Sequence, residues 1–576
     1  MKAVDAVPLA ALERVTFTYR DADAPALREA DLSLRPGEMI GIIGASGAGK
    51  STLIKCLNRL VPGFEDGEFR GLVYVSGRPL DGRRVCELAP QVGMVFQDFE
   101  AQLFSTNVRL EVAFAMQQTG MPRDEIVSRI GPALSAVGLA GFEIRDPTSL
   151  SGGEKQRLAI ASVLALRPQI VVFDEPTTDL DPEGRAEVLE LIHRLRAQGL
   201  SLVVIEHEIE ELRAADRILV MRAGEIVAQG SPATILTRLE LLESCGIRPP
   251  DLNRASAELG IVTPPRNLDE AEEVLRARLP ALANQRTIAA HHSPIATEAV
   301  PCPAAPLAEV RALSFRYSLE SLVLDTINLQ ICAGECLAIV GHNGSGKSTL
   351  AKQLVGLLKP SQGTIFLSGR DRATLSASES AAEIGYVFQN PDHQIFAATV
   401  EEEVAFGPRN FGLAPGEIAR RVEEVLEAVG LDAMRQRDPF LLSKGERQRL
   451  AVASVIALRP RLLILDEPTT GLDYREQRRM MELVARLNRA GLAIVIITHT
   501  PWLVAEYAQR VVLMRRGRIL FDGSIHDFFA TGSLLQESSF RPPEITRLAR
   551  RLGFSALTVD DFVAKFRALE LASPQL

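Results

Sequence analysis

The nine residues Gly341-His342-Asn343-Gly344-Ser345-Gly346-Lys347-Ser348-Thr349 decide how the rest of the chain is read. The apolar run Cys336-Leu337-Ala338-Ile339-Val340 before them has the character of a buried parallel strand, and Leu350-Ala351-Lys352-Gln353-Leu354 after them that of a helix. A glycine-rich turn between strand and helix can wrap its backbone N–H groups round a polyphosphate. Gly344 and Gly346 permit the tight backbone, and Lys347 supplies a point charge for the β- and γ-phosphates. Ser348 offers a hydroxyl to Mg²⁺, and the helix N-terminus adds its partial positive charge. Gly341, His342, Asn343, Ser345 and Thr349 complete the cradle.

The stretch occurs twice. Gly44-Ala45-Ser46-Gly47-Ala48-Gly49-Lys50-Ser51-Thr52 follows the strand-like run from Met39 to Ile43, and Lys50 precedes Lys347 by 297 positions. Further on the register settles at 292, matching Gln97 with Gln389, Asp174 with Asp466 and His207 with His499. The segment Pro62 to Arg70, longer than the turn Lys359 to Gly363, absorbs the difference of five. Late in each copy Arg248-Pro249-Pro250 recurs as Arg541-Pro542-Pro543 before a helical pattern. The chain is a duplication: a first domain over residues 8–282, a linker over 283–306 and a second domain over 307–576, each domain ending in a small helical module. The linker holds His291-His292-Ser293-Pro294 and Pro301-Cys302-Pro303 with little periodicity and reads as flexible. Its paired histidines lack the further ligands a metal site needs and read as solvated.

Within each copy, Val15 to Tyr19 and Leu313 to Tyr317 predict antiparallel strands near the start. Ile170 to Phe173, Leu202 to Ile205, Leu462 to Leu465 and Ile494 to Ile497 are short apolar runs of parallel-strand type. Pro122 to Val137 and Pro415 to Val429 are helical. The alternation implies an α/β fold.

Length and composition narrow the function. At 576 residues the chain holds two to four domains, with 46% hydrophobic and 24% charged residues, as in ordinary globular proteins. No run approaches the roughly 18 apolar residues of a membrane helix, and Met1-Lys2-Ala3-Val4-Asp5 lacks the apolar core of a secretory signal. A net charge of −9 argues against broad nucleic-acid binding and against docking on anionic lipid, so any work at a membrane needs a protein partner. The six cysteines, of which only Cys332 and Cys336 stand close, have no metal spacing and read as reduced thiols of a cytoplasmic protein.

After Leu150 comes Ser151-Gly152-Gly153-Glu154-Lys155-Gln156-Arg157, in which Ser151 and Glu154 have capping-box spacing ahead of the helical pattern Leu158 to Leu166. A capped helix opening on serine and glycine also presents a phosphate site. The octapeptide from Leu150 resembles the signature of the ABC (ATP-binding cassette) ATPases, and the resemblance covers both copies, about Ala11 to Gly230 and Ala308 to Gly523. It implies ATP and Mg²⁺ as cofactors and two P-loop ABC ATPase domains, each an antiparallel β subdomain, a parallel-sheet α/β core, a helical signature subdomain and a C-terminal helical module. It implies metal binding by Asp174 and Asp466 with Ser51, Ser348, Gln97 and Gln389, and general-base roles for Glu175 and Glu467. It implies switch histidines at His207 and His499, signature contacts from Ser151, Gly153, Ser443 and Gly445, and D-loop residues at Asp181 and Asp473. Gln97 and Gln389 also link each site to a transmembrane partner. Tyr19 and Tyr317 stand where the family stacks an aromatic on adenine; an ordinary sheet role is the alternative.

The family closes head to tail, each ATP held between one P-loop and the other copy's signature. The second signature departs from the pattern, reading Leu442-Ser443-Lys444-Gly445-Glu446 with Lys444 where the first has Gly152. A lysine costs about 1–2 kcal/mol if a left-handed backbone is needed there, while its charge could favour phosphate. The expectation is that the site pairing Lys50 and Glu175 with this signature is the slower one.

Three uses of the energy are open: a membrane transporter, a ribosome-acting translation factor, or a DNA-handling ATPase. The short, Pro- and Ala-rich linker is unlike the charged helical hairpin of the second class, and the zinc modules or long coiled coils of the third are missing. Among transporters, Phe388-Gln389-Asn390-Pro391-Asp392-His393-Gln394-Ile395-Phe396, continuing through Thr399 to Pro408, resembles the energy-coupling factor (ECF) importer ATPases; the first copy has a weaker version from Phe96 to Phe104. That resemblance implies a transmembrane T-component and a substrate-binding S-component as separate chains, uptake of a vitamin or transition-metal ion, and a place on the cytoplasmic face of the membrane. A conventional ABC importer or exporter ATPase is the alternative.

Overall fold

The computed structural model describes residues 8–178, 180–279, 302, 305–318, 321–537 and 540–572. It divides into two compact units, Met1–Asn253 with Asp473–Arg475, and Arg254–Leu472 with Glu476–Leu576. The expected linker lies outside the described residues except for 302, 305 and 306, as do His291 and His292.

The described residues of unit 1 form ten strands: β1 (Ala10–Tyr19), β2 (Leu27–Leu34), β3 (Met39–Gly44), β4 (Gly67–Val75), β5 (Arg78–Pro79), β6 (Val92–Val95), β7 (Ile170–Asp174), β8 (Ser201–Ile205), β9 (Arg217–Arg222) and β10 (Glu225–Gly230). They form an antiparallel sheet ordered β2-β1-β4-β5 and a six-stranded sheet ordered β10-β9-β3-β8-β7-β6. In the second sheet β9, β3, β8, β7 and β6 run parallel and β10 caps the edge antiparallel. Both faces of the parallel strands are covered, which is why they read as unbroken apolar runs. Ile40 and Ile42 of β3 face a core shared with the antiparallel sheet and the helix Lys50–Leu57, whereas Met39 and Ile43 face one built from the helices Val108–Gln118, Arg123–Ala136 and Gly152–Leu164.

Unit 2 repeats this plan with β11 (Ala308–Ser318), β12 (Ser321–Ile331), β13 (Cys336–Val340), β14 (Gln362–Leu367), β15 (Arg370–Asp371), β16 (Ile384–Val387), β17 (Leu462–Asp466), β18 (Ala493–Ile497), β19 (Arg510–Arg515) and β20 (Arg518–Ser524), in sheets ordered β12-β11-β14-β15 and β16-β17-β18-β13-β19-β20. The helical modules end in the pairs Asp251–Glu258 with Leu268–Arg278, and Glu544–Arg551 with Val559–Ala572. Residues 254–279 fall in unit 2, where Arg278 pairs with Glu570 at 2.8 Å and Arg276 donates to the Arg551 carbonyl at 2.5 Å.

The expectation of six reduced thiols is corrected by the structure. Cys302 and Cys332 form a disulfide with a Cα–Cα distance of 5.5 Å, while Cys56, Cys86, Cys245 and Cys336 are free. The backbone N–H of Cys302 donates to Gln330 Oε1 at 3.3 Å, which sets the cysteine beside the end of β12. Thirty residues separate the pair, a spacing with no local signature in the sequence.

Two buried charge clusters distinguish the copies. In unit 2 Arg510, on β19, pairs with Asp522 on β20 at 2.6 Å and with Glu335 at 3.3 Å. Asp522 is 1% exposed. In unit 1 the matching Arg217 meets Glu38 at 3.1 Å, and neutral Gln229 takes the place of Asp522. Removing Arg510 strands a carboxylate that cannot reach water.

In unit 1, β8 runs into Glu206, 2% exposed, where unit 2 has Thr498. Thr177 Oγ1 lies 3.0 Å from Glu206 Oε2 and 3.2 Å from Glu211 Oε2. One hydroxyl carries one hydrogen, so two ionised carboxylates could share it only as a three-centre bond, and a proton on one of them relieves their repulsion. Arg185 pairs directly with Glu211 and Glu208, which leaves Glu206 as the proton carrier. Burial, and then the Glu211 charge, raise its proton affinity well above that of an ordinary glutamate.

Two outcomes follow. Arg510→Met lowers the denaturant midpoint of the unit 2 transition, by about 3–5 kcal/mol in stability, as followed by urea unfolding. Because folded Glu206 binds its proton more tightly than the unfolded chain does, its contribution is fully present below the unfolded carboxyl range and is lost as pH rises. Glu206→Gln therefore melts higher than the native chain at pH 8, and the difference shrinks towards pH 5 in paired thermal scans.

Candidate functional site

The glycine-rich loops, Gln97, Asp174, Glu175 and His207, with their counterparts in the second copy, collect at the carboxyl ends of the parallel strands, where strand-to-helix turns leave backbone and side chains facing outward; the signature serines and the two tyrosines stand on other elements. Gly47 and Gly49 have φ of 73° and 96°, and Gly344 and Gly346 have 75° and 102°. A β-carbon on Gly346 would stand 2.8 Å from Leu324 Cδ2, so freedom and space both require glycine there. The turns open helices Lys50–Leu57 and Lys347–Val355. Lys50 Nζ donates to the carbonyls of Gly44 and Ala45 at 2.9 and 3.0 Å, and Lys347 Nζ to those of Gly341 and His342 at 2.8 and 3.0 Å. Each ammonium thus lies folded inside its own loop. Burial lowers the Lys50 pKa, partly offset by Glu175 at 3.9 Å.

Ser51 and Ser348 donate to Oδ1 of Asp174 and Asp466, both at 3.1 Å. Burial, and then the neighbouring Glu175, push the Asp174 carboxyl up to about 6; burial raises Asp466 as well. A hydroxyl beside a buried carboxylate is a hard-oxygen pair whose unbalanced negative charge suits a divalent cation such as Mg²⁺. Glu175 and Glu467 follow with φ of 49° each, a left-handed turn that takes them off the strand direction. Glu175 accepts from Gln97 Nε2 at 2.7 Å and meets His207 Nε2 at 2.8 Å. Glu467 meets His499 through Nδ1 at 2.9 Å. Gln97, with its amide nitrogen engaged, keeps its oxygen as a possible metal donor; among the described residues Gln389 makes no bond to Glu467 that matches the Gln97 one.

The signature serines begin helices Gly152–Leu164 and Lys444–Ile456, each in a full capping box with Glu154 or Glu446. Among the described residues no hydrogen bond joins Ser151 or Ser443 to the P-loop of its own unit. Neither Gly152 nor Lys444 has a positive φ, and a β-carbon on Gly152 would meet Leu180 Cδ2 at an ordinary 3.7 Å. The left-handed cost entertained for Lys444 therefore does not arise, because the position is the first turn of a capped helix. The Lys444 chain lies over Gly471, whose φ of 69° and missing side chain leave it room. Gly153 and Gly445 continue the same first turns. Asp181 caps the helix Pro182–Ala197 by accepting from Gly184 N–H at 2.9 Å. Asp473, grouped with unit 1, accepts from Ser46 N–H at 3.0 Å. The hydroxyls of Tyr19 and Tyr317 reach Thr52 and Thr349 at 2.9 and 3.3 Å, and the Tyr317 side chain is 60% exposed.

Beyond each Q-loop glutamine the copies repeat a further arrangement. Lys155 of the signature helix pairs with Glu100 at 2.5 Å, and Arg447 with Asp392 at 2.8 Å. Phe104 packs edge-on against Phe114 at 4.5 Å, and Phe396 against Phe406 at 4.6 Å. All four rings are exposed, from 37% to 62%. The sequence reading missed Tyr386, whose hydroxyl donates to Asp466 Oδ2 at 2.7 Å. Laying one copy over the other at the 292-residue offset, Tyr386 against Met94, was the signal that could have found it.

A family model described as ABC transporter matches residues 27–178 and 324–470. A protein of Caldanaerobacter subterraneus subsp. tengcongensis, provisionally named an ABC transporter ATP-binding protein, is 45% identical over 96% of this chain and 97% of its own length. A Methanosarcina acetivorans protein of the same provisional name is 42% identical over 98% of this chain and 94% of its own length. Among solved structures, cbiO1 from Clostridium perfringens, described as part of the ABC transporter complex cbiONQ, is 35% identical and covers 42% of this chain and 98% of its own, with a TM-score of 0.38. With both domains matched and relatives aligned end to end, the chain belongs to the ABC transporter family and is an ATP-binding subunit of an ABC transporter, with two such domains in one polypeptide.

Proposed function

We propose that the chain hydrolyses ATP at two sites and passes the resulting closure to the transmembrane T-component of an ECF-type importer of a vitamin or transition-metal ion. The observation that carries the catalytic part is the carboxylate held between histidine and glutamine beside a P-loop lysine, with His207 and Gln97 2.8 and 2.7 Å from Glu175 and Lys50 at 3.9 Å. In this reading Lys50 and Lys347 exchange their loop carbonyls for the β- and γ-phosphates as nucleotide enters. Glu175 and Glu467 accept the proton of the attacking water, and His207 and His499 orient those carboxylates and contact the γ-phosphate. Ser51, Asp174 and Gln97, with Ser348, Asp466 and Gln389, would hold Mg²⁺, which would supply positive charge against the phosphates.

The coupling part draws on Asn390-Pro391-Asp392 and on the exposed aromatic pairs after each glutamine. Apolar rings left to water at matching positions in both copies suit a partner's coupling helices. No described helix is long and apolar enough to cross a membrane, so on this reading the chain sits on the cytoplasmic face through protein contacts and touches no substrate. A conventional ABC importer or exporter would use the same ATPase chemistry with different membrane chains.

Isolation of the native complex from membranes retains a T-component of four to six helices and a small S-component; ribosomal proteins in their place would overturn the transport reading. Phe396→Ser with Phe406→Ser reduces recovery of the membrane chains several-fold. With no left-handed backbone at Lys444, the remaining ground for a slower first site is the lysine side chain standing where the first signature has Gly152; on that ground Glu467→Gln costs more steady-state ATPase in the assembled complex than Glu175→Gln, and equal losses, or the reverse order, refute it.

A further inference from the structure

We infer that Tyr386 is a positioning residue of the second nucleotide site, one that orients the Asp466 carboxylate for a divalent cation and has no equivalent in the first. The inference rests on the assignment of Asp466 as a Mg²⁺ residue. Tyr386 lies on β16, the strand that pairs with β17 just before β17 ends in Asp466, with Tyr386 opposite Ile464. Its hydroxyl donates to Asp466 Oδ2 at 2.7 Å while Ser348 donates to Oδ1 at 3.1 Å. Each carboxylate oxygen therefore has a donor, and the two donors come from different elements, so the carboxylate plane is set before any ligand arrives. The phenol ring is itself held, edge-on to Phe388 at 4.8 Å.

The first copy supplies the control. Met94 occupies the same place on β6, opposite Val172. Its sulfur accepts from Asn58 Nδ2 at 3.2 Å, on the side of the helix Lys50–Leu57 rather than of Asp174. Among the described residues Ser51 is the side chain that donates to Asp174. Outer donors that fix the orientation of a metal-binding carboxylate typically contribute about 10–100-fold in metal affinity. A hydrogen bond also draws some charge from the carboxylate, but it engages one lone pair of Oδ2 and leaves the others for the cation.

The experiment titrates Mn²⁺ into the full-length chain saturated with a non-hydrolysable ATP analogue, reading free Mn²⁺ by electron paramagnetic resonance. The native chain gives two affinity classes separated by about tenfold. Tyr386→Phe, which keeps the ring, weakens the tighter class to the level of the other, and Tyr386→Met, copying the first site, does the same. Analogue binding in the absence of metal is unchanged in both variants, which a merely structural role would not predict. Asp466→Asn separates the two levels of the reading. If it abolishes one class while Tyr386→Phe behaves as native, the inference about Tyr386 fails and the metal assignment stands; if Asp466→Asn leaves both classes intact, the assignment fails and takes the inference with it. A single class, unchanged in Tyr386→Phe, also overturns the inference.

Discussion

The constraint on which the molecule turns is that a lysine and two acids must share the end of an apolar sheet. Lys50 is 5% exposed, Asp174 4% and Glu175 6%. Any one of these charges alone there would be expelled or neutralised. They persist because Lys50 stands 3.9 Å from Glu175, because Ser51 and Gln97 donate to the two carboxylates, and because loop carbonyls occupy the ammonium. The parallel sheet exists to bring four strand ends together at this point. The antiparallel sheet and the helical inserts cover its two faces, so that β3 and β7, and β8 beyond Ser201, can be apolar up to their last residues. On the proposed reading, polyphosphate and a divalent cation complete the balance of charge that the protein leaves poised.

Much of this was legible in the sequence because the physics is local. A glycine-rich turn must sit between strand and helix, and an acid pair after an apolar pentad must lie at a strand end. Ser151 and Ser443 announce helix starts through residues three positions away. What was not legible depended on pairs distant in the chain. Cys302 meets Cys332 only once β12 has folded back beside it. The buried proton on Glu206 requires Thr177, Glu211 and Arg185, from three separate elements, to be assembled before the hydrogen count can be made. At Lys444 the sequence leaves open a backbone cost or a gain from its charge; the structure sets it in the first turn of a capped helix, where glycine has no backbone privilege.

The duplication turns the chain into its own comparison, since two copies of one plan share a solvent and a history while differing at named positions. Glu206 against Thr498 and Met94 against Tyr386 are buried or half-buried, whereas Gln229, unlike the buried Asp522 it matches, is exposed; each pair changes charge or hydrogen bonding while leaving the phosphate-facing residues alone. The differences lie one layer back. Divergence of that kind alters how firmly a group is held or how readily it changes protonation, and leaves the parts list intact.

Glu175 and Glu467 share a backbone angle of 49°, a conformation that costs a residue bearing a β-carbon roughly 1–2 kcal/mol. Glycine or asparagine would sit there more comfortably. Both copies keep the same turn, and in each it sets the glutamate beside its histidine, 2.8 Å from His207 and 2.9 Å from His499; on the proposed reading the two carboxylates are aimed alike, and any inequality between them is one of pace.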